Sequence, residues 1–371
     1  MMTDHAFEIF LVTAPGLETA LRAEANDKGF QQATVVPGGV TILGGWPDVW
    51  RANLELRGAS RILARIDTFH VLHLAQLDKR SRKVPWADIL RPDIPVQVEA
   101  SCKGSKIYHS GAAAQRIATA IHEELGAPIS KSAAVVIKAR IDNNQCTLSI
   151  DTSGEALHKR NHKEAVNRAP MRENLAALFL RQCRFDGTEP VLDPMCGSGS
   201  FVIEAAEIAC GLLPGRSRSF AFEHLASFDP GQWQHLRDTT PTAAPSVIFY
   251  GRDRDDGAIE MSRANANRAG VAEVTQFARC AISDLIPPDG QAGLVILNPP
   301  YGGRIGKKDD LRALYQTIGK VMTERFSGWR VGIITDDAGL AKATGLPFKP
   351  TLPPVLHGGI RVRLYQTGIL P

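Results

Sequence analysis

Long apolar runs are missing from this 371-residue chain, and no stretch approaches the length of a membrane-spanning helix. The first residues, MMTDHAFEIF, carry an acid and a histidine where a secretory signal would have a basic run and an apolar core, so a cytoplasmic location is expected. The six cysteines, Cys102, Cys146, Cys183, Cys196, Cys210 and Cys280, include no CxxC pair and no metal-ligand spacing with histidine. Reduced, mostly core thiols are therefore expected, and no metal. Charge of one sign is lacking too. With 43 Lys and Arg against 39 Asp and Glu, the net +4 is too slight to argue for a nucleic-acid partner, and only local clustering could do so. No internal repeat or low-complexity tract is evident, and the length suits two or three domains with cores of their own.

What is present falls into two grammars. In the first third, FEIFLVT reads as a strand, GLETALRAEANDKG as an amphipathic helix closed by Gly29, and GGVTILGG as a strand between glycine turns. RILARIDTFHV and PVQVEASCK are further strands, GAAAQRIATAIHEELG is a helix ending at Gly126, and AAVVIKARIDNNQCTLSIDTS reads as two strands joined at Asp142-Asn143-Asn144. Strand, helix and hairpin in that order suggest small α+β modules of ferredoxin-like kind. Residues 155–172 then gather five basic residues, Lys159, Arg160, Lys163, Arg168 and Arg172, against Glu155 and Glu164. Such a run is either a solvated linker or a phosphate-binding surface. The helix MRENLAALFLRQC follows it.

From about residue 190 the pattern is βα repeats, with strands PVLD, SVIFYGRD, VTQFA, GLVILN and RVGIIT, as in a doubly wound parallel sheet. IRVRLYQT after an HGG turn suggests a closing antiparallel hairpin. The first strand runs into DPMCGSG, residues Asp193, Pro194, Met195, Cys196, Gly197, Ser198 and Gly199. Glycines there let the backbone turn sharply and approach a ligand closely. A dinucleotide fingerprint would need its third glycine where Val202 stands, and a Walker loop would need a lysine that is missing. An acid before the glycines suits a ligand with an amino group or a sulfonium, and S-adenosylmethionine has both.

Asp253, with Arg254 after it, ends the second strand, where a carboxylate can accept from two ribose hydroxyls or cap a helix. After the third strand, Ala281 and Ile282 could line an adenine and Asp284 could accept from its amine. The fourth strand ends in LNPPYGGR, the most specific signal in the chain. Asn298 and the carbonyl of Pro299 form two preset acceptors stiffened by Pro300, matching the two N–H donors of an exocyclic amine, and Tyr301 can stack on the base.

DPMCGSG, the acid after the second strand and NPPYG, in this order, resemble a class I S-adenosylmethionine-dependent amino-methyltransferase. With APGLETALRAEANDKGF, GGVTILGG, NLELRGASRIL, LHKRNHKEAVNRAPMRENLAALFL, LPGRSRSFAFEHL and LYQTIGKVM, nearly the entire chain resembles the THUMP-domain RNA guanine-N2-methyltransferases of the bacterial large-subunit rRNA type. The resemblance implies a ferredoxin-like segment over 1–58, a THUMP RNA-binding domain over 59–155, a basic linker over 156–170 and a Rossmann-like methyltransferase domain over 171–371. It implies S-adenosylmethionine as cofactor, held by Asp193, Pro194, Met195, Cys196, Gly197, Gly199, Asp253, Arg254, Ala281, Ile282, Asp284 and Asn298. It implies RNA as partner, rRNA first and tRNA second, with Lys159, Arg160, Lys163 and Arg168 on phosphates and Asn298, Pro299, Pro300 and Tyr301 at the reacting amine. The sequence departs from the family in having Ala281 where relatives carry an Asp. Adenine N6 methylation and a noncatalytic RNA-binding factor are the competing expectations.

Overall fold

The structure is a computed structural model that describes residues 6–164, 171–238, 245–302 and 308–371. These divide into two compact units: the described parts of 1–13, 21–157 and 218–239 form the first, and those of 14–20, 158–217 and 240–371 the second.

The N-terminal elements are β1 (Phe7–Val12), α1 (Glu18–Asp27), β2 (Thr34–Val36), β3 (Gly39–Gly44), α2 (Trp46–Glu55), β4 (Arg61–His70), α3 (Leu74–Ser81), β5 (Val96–Lys103), α4 (Ser110–Leu125), β6 (Val135–Asp142) and β7 (Gln145–Asp151). Their strands make one seven-stranded sheet in the order β2-β3-β1-β4-β7-β6-β5. β4 is the shared strand: its Ala64 pairs with Ile9 of β1 on one side and with Ile150 of β7 on the other, both antiparallel. The β6–β7 turn falls where it was expected, with Asn143 and Asn144 at φ 49° and 65°, the left-handed pair that matches hairpin twist. α2 has no sequence-evident side-chain cap, because its N-cap is Gly45. Asp48 Oδ2 instead accepts the Gly45 N–H at 3.0 Å.

The remaining elements are α5 (Glu173–Gln182), β8 (Val191–Asp193), α6 (Ser200–Ala209), α7 (Pro230–Asp238), β9 (Phe249–Asp253), α8 (Asp256–Ala269), β10 (Thr275–Arg279), β11 (Leu294–Leu297), α9 (Lys308–Arg325), β12 (Arg330–Thr335), α10 (Ala338–Ala343), β13 (Val355–His357) and β14 (Ile360–Ile369). Of these, α7 belongs to the first unit, where Trp50, Phe222, Phe228 and Trp233 pack ring against ring, with Phe222 and Trp233 centroids 5.0 Å apart.

The second unit is the doubly wound sheet anticipated from the βα grammar. Its order is β10-β9-β8-β11-β12-β14-β13, with the first five strands parallel and β14 antiparallel to both neighbours. Every residue of β11 is buried, as a strand covered on both faces requires. On one face Tyr315, Ile318 and Met322 of α9, with Phe326 just after it, pack in one core with Val295, Leu297 and Ile333. A Cβ at Gly319 would lie 1.7 Å from the Thr344 carbonyl oxygen, so only glycine lets α9 pass the end of α10. Strand order reverses between β8 and β11. In sheets of this kind ligands bind outside the carboxyl ends of the strands at that reversal.

Candidate active site

DPMCGSG leaves β8 and NPPYG leaves β11, so the two motifs emerge at the carboxyl ends of hydrogen-bonded neighbours, with Val295 paired to Leu192. The glycine loop is strapped on several sides. Cys196 donates its N–H to the Arg252 carbonyl at 2.9 Å, Gly197 donates its N–H to Asp253 Oδ2 at 3.0 Å, and Gly199 donates back to the Cys196 carbonyl at 2.8 Å. Gly197 and Gly199 take φ of 55° and 84°, a region that L side chains enter at a cost of about 1–2 kcal/mol. A Cβ on Gly199 would also crowd Ile203 and Ser262 at 3.1 Å, whereas one on Gly197 would meet no protein atom within 4 Å. The loop is therefore packed behind Gly199 and open beside Gly197.

Asp193 is buried, 2% exposed, and accepts the Met195 N–H at 3.0 Å. Burial pushes its carboxyl up to about 8, and the nearby Asp253 adds to the shift. Such a group lacks a cation, which a ligand ammonium or sulfonium would supply. Asp253 is half-buried and committed on both oxygens: besides Gly197, Oδ1 accepts the Asp255 N–H at 3.1 Å. Arg254 is exposed. Ala281 and Ile282 are half-buried at the end of β10, Ile282 against the core, while Asp284 is exposed on a short 3₁₀ turn and accepts from the Ser283 hydroxyl at 3.2 Å.

At β11, Asn298 Oδ1 is buried and has no hydrogen-bond partner among the described residues, a costly state for an acceptor unless a donor arrives from elsewhere. Pro299 is buried and Pro300 half-buried beside it, and the half-buried Tyr301 packs against the core that also holds Ile282 and Met195.

The basic segment holds a different arrangement from the one expected. Arg160 is 4% exposed and ion-paired to Glu204 and to Glu207, the latter at 3.3 Å. Glu207 also takes His162 Nδ1 at 3.2 Å and Arg216 at 2.7 Å. Lys163 donates to the Ser200 hydroxyl at 2.7 Å and the Met171 carbonyl at 2.8 Å, with Glu173 at 3.3 Å. Burial pulls its ammonium below the ordinary value despite Glu173, and His158 is held down to about 4 by burial and its cationic neighbours. Arg160 and Lys163 are thus corrected from phosphate contacts to struts of α6, because the buried Arg160 and the half-buried Lys163 spend their charges on glutamates of their own unit. Lys159 is exposed, and Arg168 lies outside the described residues.

Sequence reasoning also passed over two supports on α8. Ser262 donates to the Gly197 carbonyl at 2.9 Å and Asn265 to the Ser198 carbonyl at 3.0 Å, both from fully buried positions. The signal was there: polar residues three apart on a helix face whose other members are Ala258, Ile259 and Ala266.

The family description "RMKL-like, methyltransferase domain" matches residues 160–348, more than half of the chain. The chain belongs to this family. Residues 8–63 match the RlmL ferredoxin-like domain, so the Rossmann-like fold and the ferredoxin-like N-terminus expected from the motifs are both present. A Synechocystis protein named provisionally as an RNA methyltransferase is 29% identical over 96% of this chain and 95% of its own length. The ribosomal RNA large subunit methyltransferase K/L of Psychromonas ingrahamii is 32% identical over 91% of this chain, which spans only 47% of that relative. A crystal structure of a provisionally named methyltransferase complexed with SAH superposes with a TM-score of 0.88 at 25% identity, covering 99% of each chain. A methyltransferase domain of this family implies S-adenosylmethionine, and the residues fit it: a buried uncompensated carboxyl at Asp193, an open approach beside Gly197 and an unpaired acceptor at Asn298.

Proposed function

We propose that this chain transfers the methyl group of S-adenosylmethionine to the exocyclic N2 amine of a guanosine in structured RNA, large-subunit rRNA first among substrates. The observation that carries the reading is the buried, unpartnered Oδ1 of Asn298, one strand from a carboxyl that wants a cation. RNA as the substrate class is supported by the names of the two relatives.

In this reading Asp193 pairs with the cofactor's amino group, Asp253 accepts from its ribose, Ala281 and Ile282 line its adenine, and Asp284 accepts from the adenine amine. S-adenosylmethionine held there would supply the methyl group on a sulfonium, with a neutral thioether as its leaving group. Asn298 Oδ1 and the Pro299 carbonyl accept the two N–H groups of the base, drawing its nitrogen toward tetrahedral geometry, and Tyr301 holds the ring in line. As the C–N bond forms and the C–S bond breaks, the nitrogen becomes acidic and gives its proton to water, so no strong general base is required. The base reaches this pocket unstacked, from a loop or helix end.

The functional divisions are those of the family, 1–58, 59–155, 156–170 and 171–371, with residues 218–239 returned to the first unit and Lys159 and Arg168 left as the basic RNA contacts of the linker. A cytoplasmic site of action goes with such a substrate, and among the described residues no helix is long and apolar enough to cross a membrane. The test is nucleoside mass spectrometry of rRNA and tRNA from cells lacking the protein. Loss of N2-methylguanosine from large-subunit rRNA is expected. Loss from tRNA only would move the substrate, and loss of N6-methyladenosine would replace the guanine assignment.

A further inference from the structure

We propose that Tyr108, with Lys103 and Lys106, is a stacking site for an unpaired nucleobase of single-stranded RNA; the partner class rests on the reading above. Tyr108 is 85% exposed, more than any other large apolar side chain described. Yet the loop that carries it, KGSKIYHS, is not slack. Gly104 turns at φ 56°, the Ser105 hydroxyl donates to the Lys103 carbonyl at 2.8 Å and accepts the Asn144 N–H at 3.0 Å, and Lys106 N–H donates to Asn144 Oδ1 at 2.8 Å. Ile107 is sunk in the core at 4% exposure, and His109 Nδ1 caps α4 by accepting the Ala112 N–H at 3.0 Å. A braced loop thus holds in water a ring that contributes little burial to the fold.

Its surroundings say what would cover it. Gly104, Lys106, His109, Ser110 and Gly111 are all exposed and polar or small, so no apolar patch awaits a protein surface. Nearby acids are already paired, Asp142 with Arg140 at 2.8 Å and with the charge of its cross-strand neighbour Lys103 beside it, and Glu99 with Lys138 at 2.7 Å, while Lys103 and Lys106 make no ion pair within 4.0 Å among the described residues. A lone aromatic face on a loop with two exposed ammonium groups matches a base flanked by phosphates.

The experiment uses the full chain and a fluorescein-labelled single-stranded RNA dodecamer, with anisotropy as readout and calorimetric affinity for S-adenosylhomocysteine as control. Tyr108→Ala is expected to weaken RNA binding by about 5- to 150-fold, the range of alanine substitutions at base-stacking residues, while Tyr108→Phe binds as the unaltered chain does. The double variant Lys103→Gln, Lys106→Gln should flatten the log-log salt dependence by about 1.4. Affinity for S-adenosylhomocysteine should not move in any variant. Unaltered RNA affinity in Tyr108→Ala, or equal losses in Tyr108→Ala and Tyr108→Phe, would overturn the stacking site alone. An unaltered chain that binds S-adenosylhomocysteine but no RNA would overturn the substrate class with it.

Discussion

Asp193 is the residue on which cofactor binding and pH meet. Its carboxyl is pushed up to about 8 by burial, against an ordinary value of 3.8. The fold therefore holds this proton more tightly than the unfolded chain does. Its contribution to stability is complete below about pH 4 and is lost as pH rises through about 8. A cationic ligand reverses the preference, because it pairs with the ionised form. Binding of S-adenosylmethionine or S-adenosylhomocysteine near neutral pH should then release a proton, and affinity should rise between pH 6 and 8 by at most about tenfold per unit. Calorimetry in buffers of different ionisation enthalpy measures this directly, and Asp193→Asn should bind more weakly and without proton release. No proton release in the unaltered chain would remove Asp193 from the ligand. At Asn298 the expectation is opposite in kind: Asn298→Ala should lower kcat by about 100-fold or more, as loss of a group aimed at the reacting atoms does, with S-adenosylhomocysteine affinity nearly intact. Near-normal turnover would exclude Asn298 from the mechanism.

Among the elements, α6 carries the glycine loop and is held from behind by charges that look, in sequence, like a surface. Arg160 should be structural: Arg160→Met leaves Glu204 and Glu207 buried without their main partner and should cost about 3–5 kcal/mol of stability, read by denaturant unfolding, while the salt dependence of RNA binding stays unaltered. A flattened salt dependence at unaltered stability would return Arg160 to the phosphate-binding surface. The elements that could be read from sequence are those whose cause is local. Apolar strand patterns marked β1, β4 and β6, glycine marked the ends of α1 and α4, and the strand-to-turn motifs marked β8 and β11. Those that could not be read depend on distant partners. Arg160 is neutralised by glutamates 44 and 47 positions further along, and nothing near LHKRNHK announces them. α2 does not figure in the sequence reading, which ends a strand in the glycine turn at Gly44-Gly45; Asp48 supplies the cap there and Trp50 the buried anchor.

For the whole molecule, the two units are not successive stretches of chain. Residues 218–239 leave the methyltransferase unit to complete the first one, with Phe222 and Trp233 in its aromatic cluster and Arg218 donating to the Ser153 and Glu155 carbonyls. A fragment 158–371 would therefore expose Phe220, Phe222 and Trp233, and it should aggregate or bind hydrophobic dye, whereas the same fragment with 218–239 replaced by a short polar linker should stay soluble and bind S-adenosylhomocysteine. That trimmed fragment should methylate RNA poorly, since the first unit carries much of the proposed RNA contact. Equal rates for fragment and full chain would place RNA recognition in the methyltransferase unit alone. The central claim, amino-methylation of guanine in RNA, is tested most directly by incubating the purified chain with labelled S-adenosylmethionine and unmodified rRNA and tRNA, then digesting to nucleosides. The account predicts label in N2-methylguanosine, strongest from large-subunit rRNA and absent with Asn298→Ala. Label in N6-methyladenosine, or none from a chain shown to bind the cofactor, would contradict it.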